Sequence, residues 1–216
     1  GVLCPNVCRA RCSLLMDYHP IIKAMQAGQV RRYHTAVDIP PQSVAEHTFN
    51  VMVIATYLVR MSSFDDGKRL DQGVPLQHAL FHDLGEIYMA DIPGPVKSYV
   101  SVKHLEAQEK IAVMDNFSID LDGMPEIVKM ADQLECLWYF ARCYKLGCEP
   151  AERYYNLQRR SVTETFGFDV DVMALADAID GWFHTDGCDL RLPFEEMRDK
   201  QESIYGEGEV GPGDAR

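Results

Sequence analysis

Almost every long segment of this chain spaces its apolar residues at helical intervals, and the apolar–polar alternation that builds strands is nearly absent. The chain is therefore predicted to fold as all-α, in a single helical bundle. At 216 residues it has length for one core of its own and too little for two well-built halves. Hydrophobic residues at 47% and charged residues at 25% exclude the apolar-poor composition of a disordered chain.

Punctuation divides the helical pattern. Pro20 opens a helix running toward Gly28, and the polar stretch from Arg31 to Gln42, with Pro40 and Pro41, reads as a loop. Ser43 and Glu46 form a capping-box pattern ahead of the apolar run Val51 to Val59. Pro75 takes a first-turn position before Leu76, Ala79, Leu80 and Leu84, and that helix is predicted to continue to Asp91, where Pro93, Gly94 and Pro95 stop it. Further helices are expected at 98–116, 125–146, 149–165, 169–184 and 193–205. The domain is expected over 17–205, after a leader at 1–16 and before an unfolded Gly- and acid-rich tail at 206–216.

Charge and cysteine usage narrow the function classes. Twenty-one basic against 33 acidic side chains give a net charge of −12, which opposes the phosphate attraction that bulk nucleic-acid binding depends on. A small anionic ligand is not excluded, because a few basic groups aimed into a cleft outweigh a distant, salt-screened field. The seven cysteines form no CxxC pair and read as reduced thiols in a cytoplasm. Cys4, Cys8 and Cys12 would share one helical face, but their spacing matches no zinc or cluster pattern, so a mobile or packing segment is expected. No run approaches the roughly 18 apolar residues of a membrane span, and the start has no signal-peptide layout.

The informative chemistry is the pair His82–Asp83 inside an apolar helix, with Ala79, Leu80, Phe81, Leu84, Ile87 and Tyr88 around it. Adjacent helical residues point about 100° apart, so both reach one metal only if it lies at the edge of the buried face. Glu86, four residues after His82, shares that face. Partly buried groups of this type need partners. His47 at a helix start offers one, and Asp132, which interrupts the apolar face Ile127, Val128, Met130, Ala131, Leu134 and Leu137, offers another. An isolated buried aspartate would cost several kcal/mol unless paired or metal-bound. A solvated polar face, a surface histidine and a cap-bound Glu46 are the plainer readings of the same residues.

The order His47, His82–Asp83, Asp132 resembles the signature of the HD-domain phosphohydrolases, an all-helical family whose four ligands hold a divalent metal. Locally, Val44-Ala45-Glu46-His47, Phe81-His82-Asp83-Leu84-Gly85-Glu86, Asp91-Ile92-Pro93-Gly94-Pro95-Val96-Lys97 and Lys129-Met130-Ala131-Asp132 resemble the YfbR-like 5′-deoxynucleotidases and their phage DatZ-like relatives. The resemblance implies a single HD-domain helical bundle with His47, His82, Asp83 and Asp132 as metal ligands and Glu86 and Asp91 handling the attacking water. It places Arg32 and Tyr33 against phosphate and sugar, Tyr33 departing from the family's Trp; Lys97, tethered near Asp91 at the end of the proline-rich loop, reads as a phosphate neutraliser. His34 is divided between substrate contact and an exposed loop histidine, His78 reads as a satisfied core histidine, and Trp138, Tyr139 and Phe140 read as packing.

The implied activity is metal-dependent hydrolysis of the 5′-phosphoester of deoxynucleotides, foremost dATP to deoxyadenosine and triphosphate. The alternatives are a 5′-deoxynucleotidase releasing phosphate from monophosphates and a non-catalytic nucleotide-binding module. The implied cofactor is Co, Mn, Zn or Mg; the implied partners are a deoxynucleotide and further copies of the chain in a dimer or hexamer, with no bulk nucleic acid and no membrane. The expected location is the cytoplasm, that of a host if the protein is phage-encoded.

Overall fold

The computed structural model describes residues 19–36, 38–65, 73–92 and 101–185. The Cys4/Cys8/Cys12 leader, Lys97, the expected helix at 193–205 and the tail at 206–216 lie outside the described residues. Eight helices are described: α1 His19–Ala24, α2 Val44–Asp65, α3 Gly73–Phe81, α4 Glu86–Met89, α5 Val102–Phe117, α6 Glu126–Lys145, α7 Ala151–Phe166 and α8 Val170–His184. A 3-10 turn, Met25–Gln29, follows α1. The described chain as far as Phe183 forms one compact unit, and among the described residues no helix is long and apolar enough to cross a membrane.

The core is built on α6, which packs against α2 and α7. Its apolar positions Val128, Met130, Ala131, Leu134 and Leu137 are buried, as the sequence spacing requires, and they meet Val51, Ala55 and Leu58 of α2 and Tyr155, Val162 and Phe166 of α7. Helix α8 closes this core: Phe183 stacks on Tyr155 with ring centroids 3.9 Å apart, while Arg159 bridges to Asp177 and Asp180 at 2.6 and 2.7 Å. A smaller cluster of Ala27, Val44, Leu84, Val113 and Leu121 lies between the start of α2 and α5.

The 22-residue α2 begins where the sequence marks it. Glu46 Oε2 accepts from the Ser43 backbone N–H at 2.9 Å and from its hydroxyl at 2.7 Å, and the Ser43 hydroxyl accepts from the Glu46 N–H at 3.2 Å. This reciprocal cap satisfies donors that the first turn leaves open.

Two expectations need correction. The stretch Arg31 to Gln42 is not loop throughout: β1 (Arg31–Arg32) and β2 (Gln42–Ser43) form an antiparallel ladder pairing Arg31 with Ser43 and Arg32 with Gln42. Two residues per strand are too few for an alternating pattern to register. Nor are His82 and Asp83 inside a continuous helix. Helix α3 ends at Phe81, His82–Gly85 form a turn, and α4 starts at Glu86. Bonds from Leu84 N–H to Phe81 O at 3.1 Å and from Glu86 N–H to Asp83 O at 3.0 Å tighten the chain there. The cause is tertiary: a Cβ on Gly85 would lie 2.8 Å from the Glu109 backbone oxygen of α5, so only glycine permits this approach.

Candidate metal centre

The cap that starts α2 turns His47 inward, where it is fully buried. Its Nε2 lies 3.2 Å from Asp83 Oδ2, 3.2 Å from Asp132 Oδ1 and 3.2 Å from His82 Nε2. His82 directs its Nδ1 to the Ala79 carbonyl at 2.8 Å, which makes Nδ1 the protonated nitrogen and leaves Nε2 to the cluster. Asp83 Oδ1 is 3.5 Å from that nitrogen. Ligand atoms of His47, His82 and Asp132 all lie within 4.8 Å of one another, a spacing that one cation can span, and Asp83 approaches two of them, His47 and His82. The structure thus brings together one residue from α2, two from the turn after α3 and one from α6.

These groups suit a divalent cation. Two imidazoles and two carboxylates form the mixed N/O set that Zn, Mn or Co accepts. Asp132 Oδ1 is buried and receives no hydrogen bond, since its approach to His47 lacks hydrogen-bond geometry. The electrostatics agree. Burial and the Arg32 charge oppose a proton on His47, yet Asp132, Asp83 and Glu135 prevail and raise its pKa well above the ordinary value. Burial would raise Asp83 and Asp132, but His82, His47 and Arg32 hold Asp83 well below the usual range, and His47 and His82 hold Asp132 low. The pocket calls for positive charge at its centre.

Around the cluster, Arg32 sends Nη1 to within 3.7 Å of Asp83 Oδ2, and that nitrogen is buried without a hydrogen-bond partner. Glu86 is 4% exposed and its Oε2 has no partner. Burial first, then Asp83, pushes its carboxyl up to about 9, against the opposing pull of Arg32. Asp91 lies 3.8 Å from His34 Nδ1, which also bonds the Arg31 carbonyl at 2.9 Å. A cleft of about 530 Å³ opens over His82, Asp83 and Asp132 and is flanked by Glu106, Glu109, Lys110 and Lys129.

Tyr33 packs one side of its ring into the protein. Its backbone takes φ 59°, and its ring lies parallel to Tyr139, centroids 5.3 Å apart at 8°, with Phe140 at 5.4 Å and its hydroxyl 3.5 Å from Cys136 Sγ. One face of the ring is therefore occupied by the protein. Tyr139, which donates to the Pro40 carbonyl, and Phe140 are packing residues. His78 is buried as expected, but its Nδ1 lacks a partner, so it is not a fully satisfied core histidine.

The sequence reading missed Glu135. It is fully buried and accepts from His47 Nδ1 at 2.7 Å, Gln42 Nε2 at 2.6 Å and Asn50 Nδ2 at 3.0 Å. The available signal was a second acid one turn after Asp132 on the buried side of α6.

Residues 17–114 match the family model described as 5′-deoxynucleotidase YfbR-like. This part of the chain is similar to that family. The matched region contains His47, His82, Asp83, Glu86 and Asp91, whereas Asp132 and Glu135 lie beyond it. The chain is 27% identical over 114 residues to a 4′-phosphooxetanocin A phosphatase of Priestia megaterium, covering 51% of this chain and 59% of that protein. It is 33% identical over 81 residues to a 5′-deoxynucleotidase of Shewanella oneidensis, covering 38% and 40%. Identity to a dATP triphosphohydrolase of Salmonella phage PMBT28 is 28% over 121 residues, covering 53% and 62%. The matches thus span 40% to 62% of these relatives' lengths.

Among solved structures, a Pyrococcus horikoshii protein superposes with TM-score 0.63 at 18% identity, covering 76% of this chain and 98% of its own. The cyanophage S-2L HD phosphohydrolase DatZ, bound to dA and one catalytic Zn2+ ion, superposes with TM-score 0.51 at 22% identity, covering 75% and 92%. The described chain has the helical HD fold.

Proposed function

We propose that this chain hydrolyses the 5′-phosphoester of deoxynucleotides at a divalent cation held by His47, His82, Asp83 and Asp132. The observation that carries this reading is the convergence of four candidate ligand side chains from three chain segments beside an Arg32 Nη1 that has no hydrogen-bond partner and a buried Glu86. When bound, a divalent ion supplies polarisation of the phosphoryl group and lowers the pKa of a water from about 15.7 toward 7.

The chain's own groups do the rest. Arg32 Nη1, already desolvated, donates to a phosphate oxygen at no further dehydration cost to itself. In the metal-free protein Glu86, raised to about 9, holds a proton at neutral pH; positive charge at the four ligands would favour its ionised form, which takes a proton from the attacking water. Asp91 is the second carboxylate assigned to that water, and Lys97 is retained as a phosphate neutraliser. Water's oxygen joins phosphorus, the bond to the 5′-oxygen breaks, and the nucleoside leaves as an alcohol after taking up a proton.

We assign dATP as the leading substrate, with deoxyadenosine and triphosphate as products. The cleft offers about 530 Å³, room for more than one phosphate, with Lys129 on its wall, and the similarity to the phage dATP triphosphohydrolase supports this choice. A monophosphate nucleotidase is the second reading, favoured by the YfbR-like match and the 33% identity to a 5′-deoxynucleotidase. Incubating protein loaded with Zn2+, Mn2+ or Co2+ with dAMP, dATP and dGTP should yield triphosphate from dATP. Phosphate from dAMP with dATP intact would select the second reading, and nucleotide binding without turnover under every metal would refute both.

A further inference from the structure

We propose that Glu135 is a positioning residue, holding the His47 imidazole with Nε2 toward the cation and joining it to the strand that carries Arg32. The proposal rests on the metal reading above.

Glu135 and His47 are both fully buried, and neither faces the cleft through an exposed atom. As a carboxylate, Glu135 only accepts, so the 2.7 Å contact from Oε2 to His47 Nδ1 requires the ring proton on Nδ1. The lone pair of the neutral ring then stands on Nε2, the nitrogen 3.2 Å from both Asp83 Oδ2 and Asp132 Oδ1. Rotation of the carboxylate is blocked because its other oxygen takes two donors, Gln42 Nε2 at 2.6 Å and Asn50 Nδ2 at 3.0 Å. A buried carboxylate is costly unless its lone pairs are matched, and three donors match these. The same anchor reaches the phosphate side of the site: Gln42 sits directly across the ladder from Arg32. One side chain thus couples the orientation of a candidate ligand to the placement of the guanidinium.

Glu135→Gln keeps the volume but turns an N–H2 toward at least one of the three donors. Zn2+ affinity, measured by competition with a chromophoric chelator, should fall 10- to 100-fold, the range seen when a ligand histidine loses its carboxylate partner, with helical content unchanged by circular dichroism. In zinc-loaded wild type, heteronuclear NMR should place the His47 proton on Nδ1. A variant that binds Zn2+ within threefold of wild type overturns the proposal, and so does a zinc-loaded wild type carrying that proton on Nε2. If Glu135→Gln does not fold, the wild-type NMR signature decides alone. Wild type that takes up no Zn2+ overturns the metal reading itself, and this inference with it.

Discussion

Glu86 is nearly sealed from solvent beside Asp83, and this gives it a testable proton linkage. In the unfolded chain its carboxyl titrates near the ordinary 4.5, and in the folded, metal-free protein it titrates near 9. Folding therefore takes up a proton between these values, so the stability this group contributes, intact below about pH 4.5, is lost as pH rises toward 9. Glu86→Gln mimics the neutral acid and removes that loss. In chelator-treated protein the variant's Tm should exceed wild type by a margin that widens from pH 5 to 9, while its turnover falls by about 10²-fold or more; a constant margin would refute the linkage. Asp83 bears on two neighbours at once. Asp83→Ala should abolish retained metal, read by elemental analysis, and should also lower Tm, because it leaves the Arg32 guanidinium buried without its 3.7 Å counter-charge. Retained metal at the wild-type level would remove Asp83 from the ligand set.

At the level of elements, the turn between α3 and α4 depends on a hydrogen atom where a side chain would be. Gly85→Ala would drive a methyl against the Glu109 backbone at 2.8 Å, so helix α5 must shift, at a cost of about 1–3 kcal/mol. Denaturant titration should show the loss, and metal affinity should drop with it because His82 and Asp83 ride on the same turn. Ser43→Ala, which removes both roles of the hydroxyl in the cap, should cost about 1 kcal/mol. The cap was legible in sequence because it is local: Ser43 and Glu46 are three residues apart and serve each other. The helix ends set by proline and glycine were legible for the same reason. The break after Phe81 was not, since nothing in His82–Gly85 forbids a helix; α5, many residues later, imposes it. Glu135 was hidden likewise, as a glutamate in a helix is ordinary until Gln42, His47 and Asn50 from two other elements enclose it. The four candidate ligands could be named from sequence, but their meeting point depends on α2, the α3–α4 turn and α6 packing around a shared core.

For the molecule as a whole, four charged or ligating groups facing one point make the folded state responsive to a cation that the unfolded chain has no preformed site to hold. At a free ion concentration of about 100 times Kd, binding adds about 2.7 kcal/mol, and at roughly 2–4 °C per kcal/mol for a chain of this size Tm should rise by about 5–10 °C. Differential scanning fluorimetry with Zn2+, Mn2+, Co2+ and Mg2+, before and after chelation, measures this directly; no rise with any of them would count against the centre. The left-handed backbone at Tyr33, φ 59°, bears on attempts to retune this site. A saturation library at that position would be enriched for glycine and asparagine because those residues relax the chain, and a screen for new substrates would reward easier folding in the guise of altered chemistry.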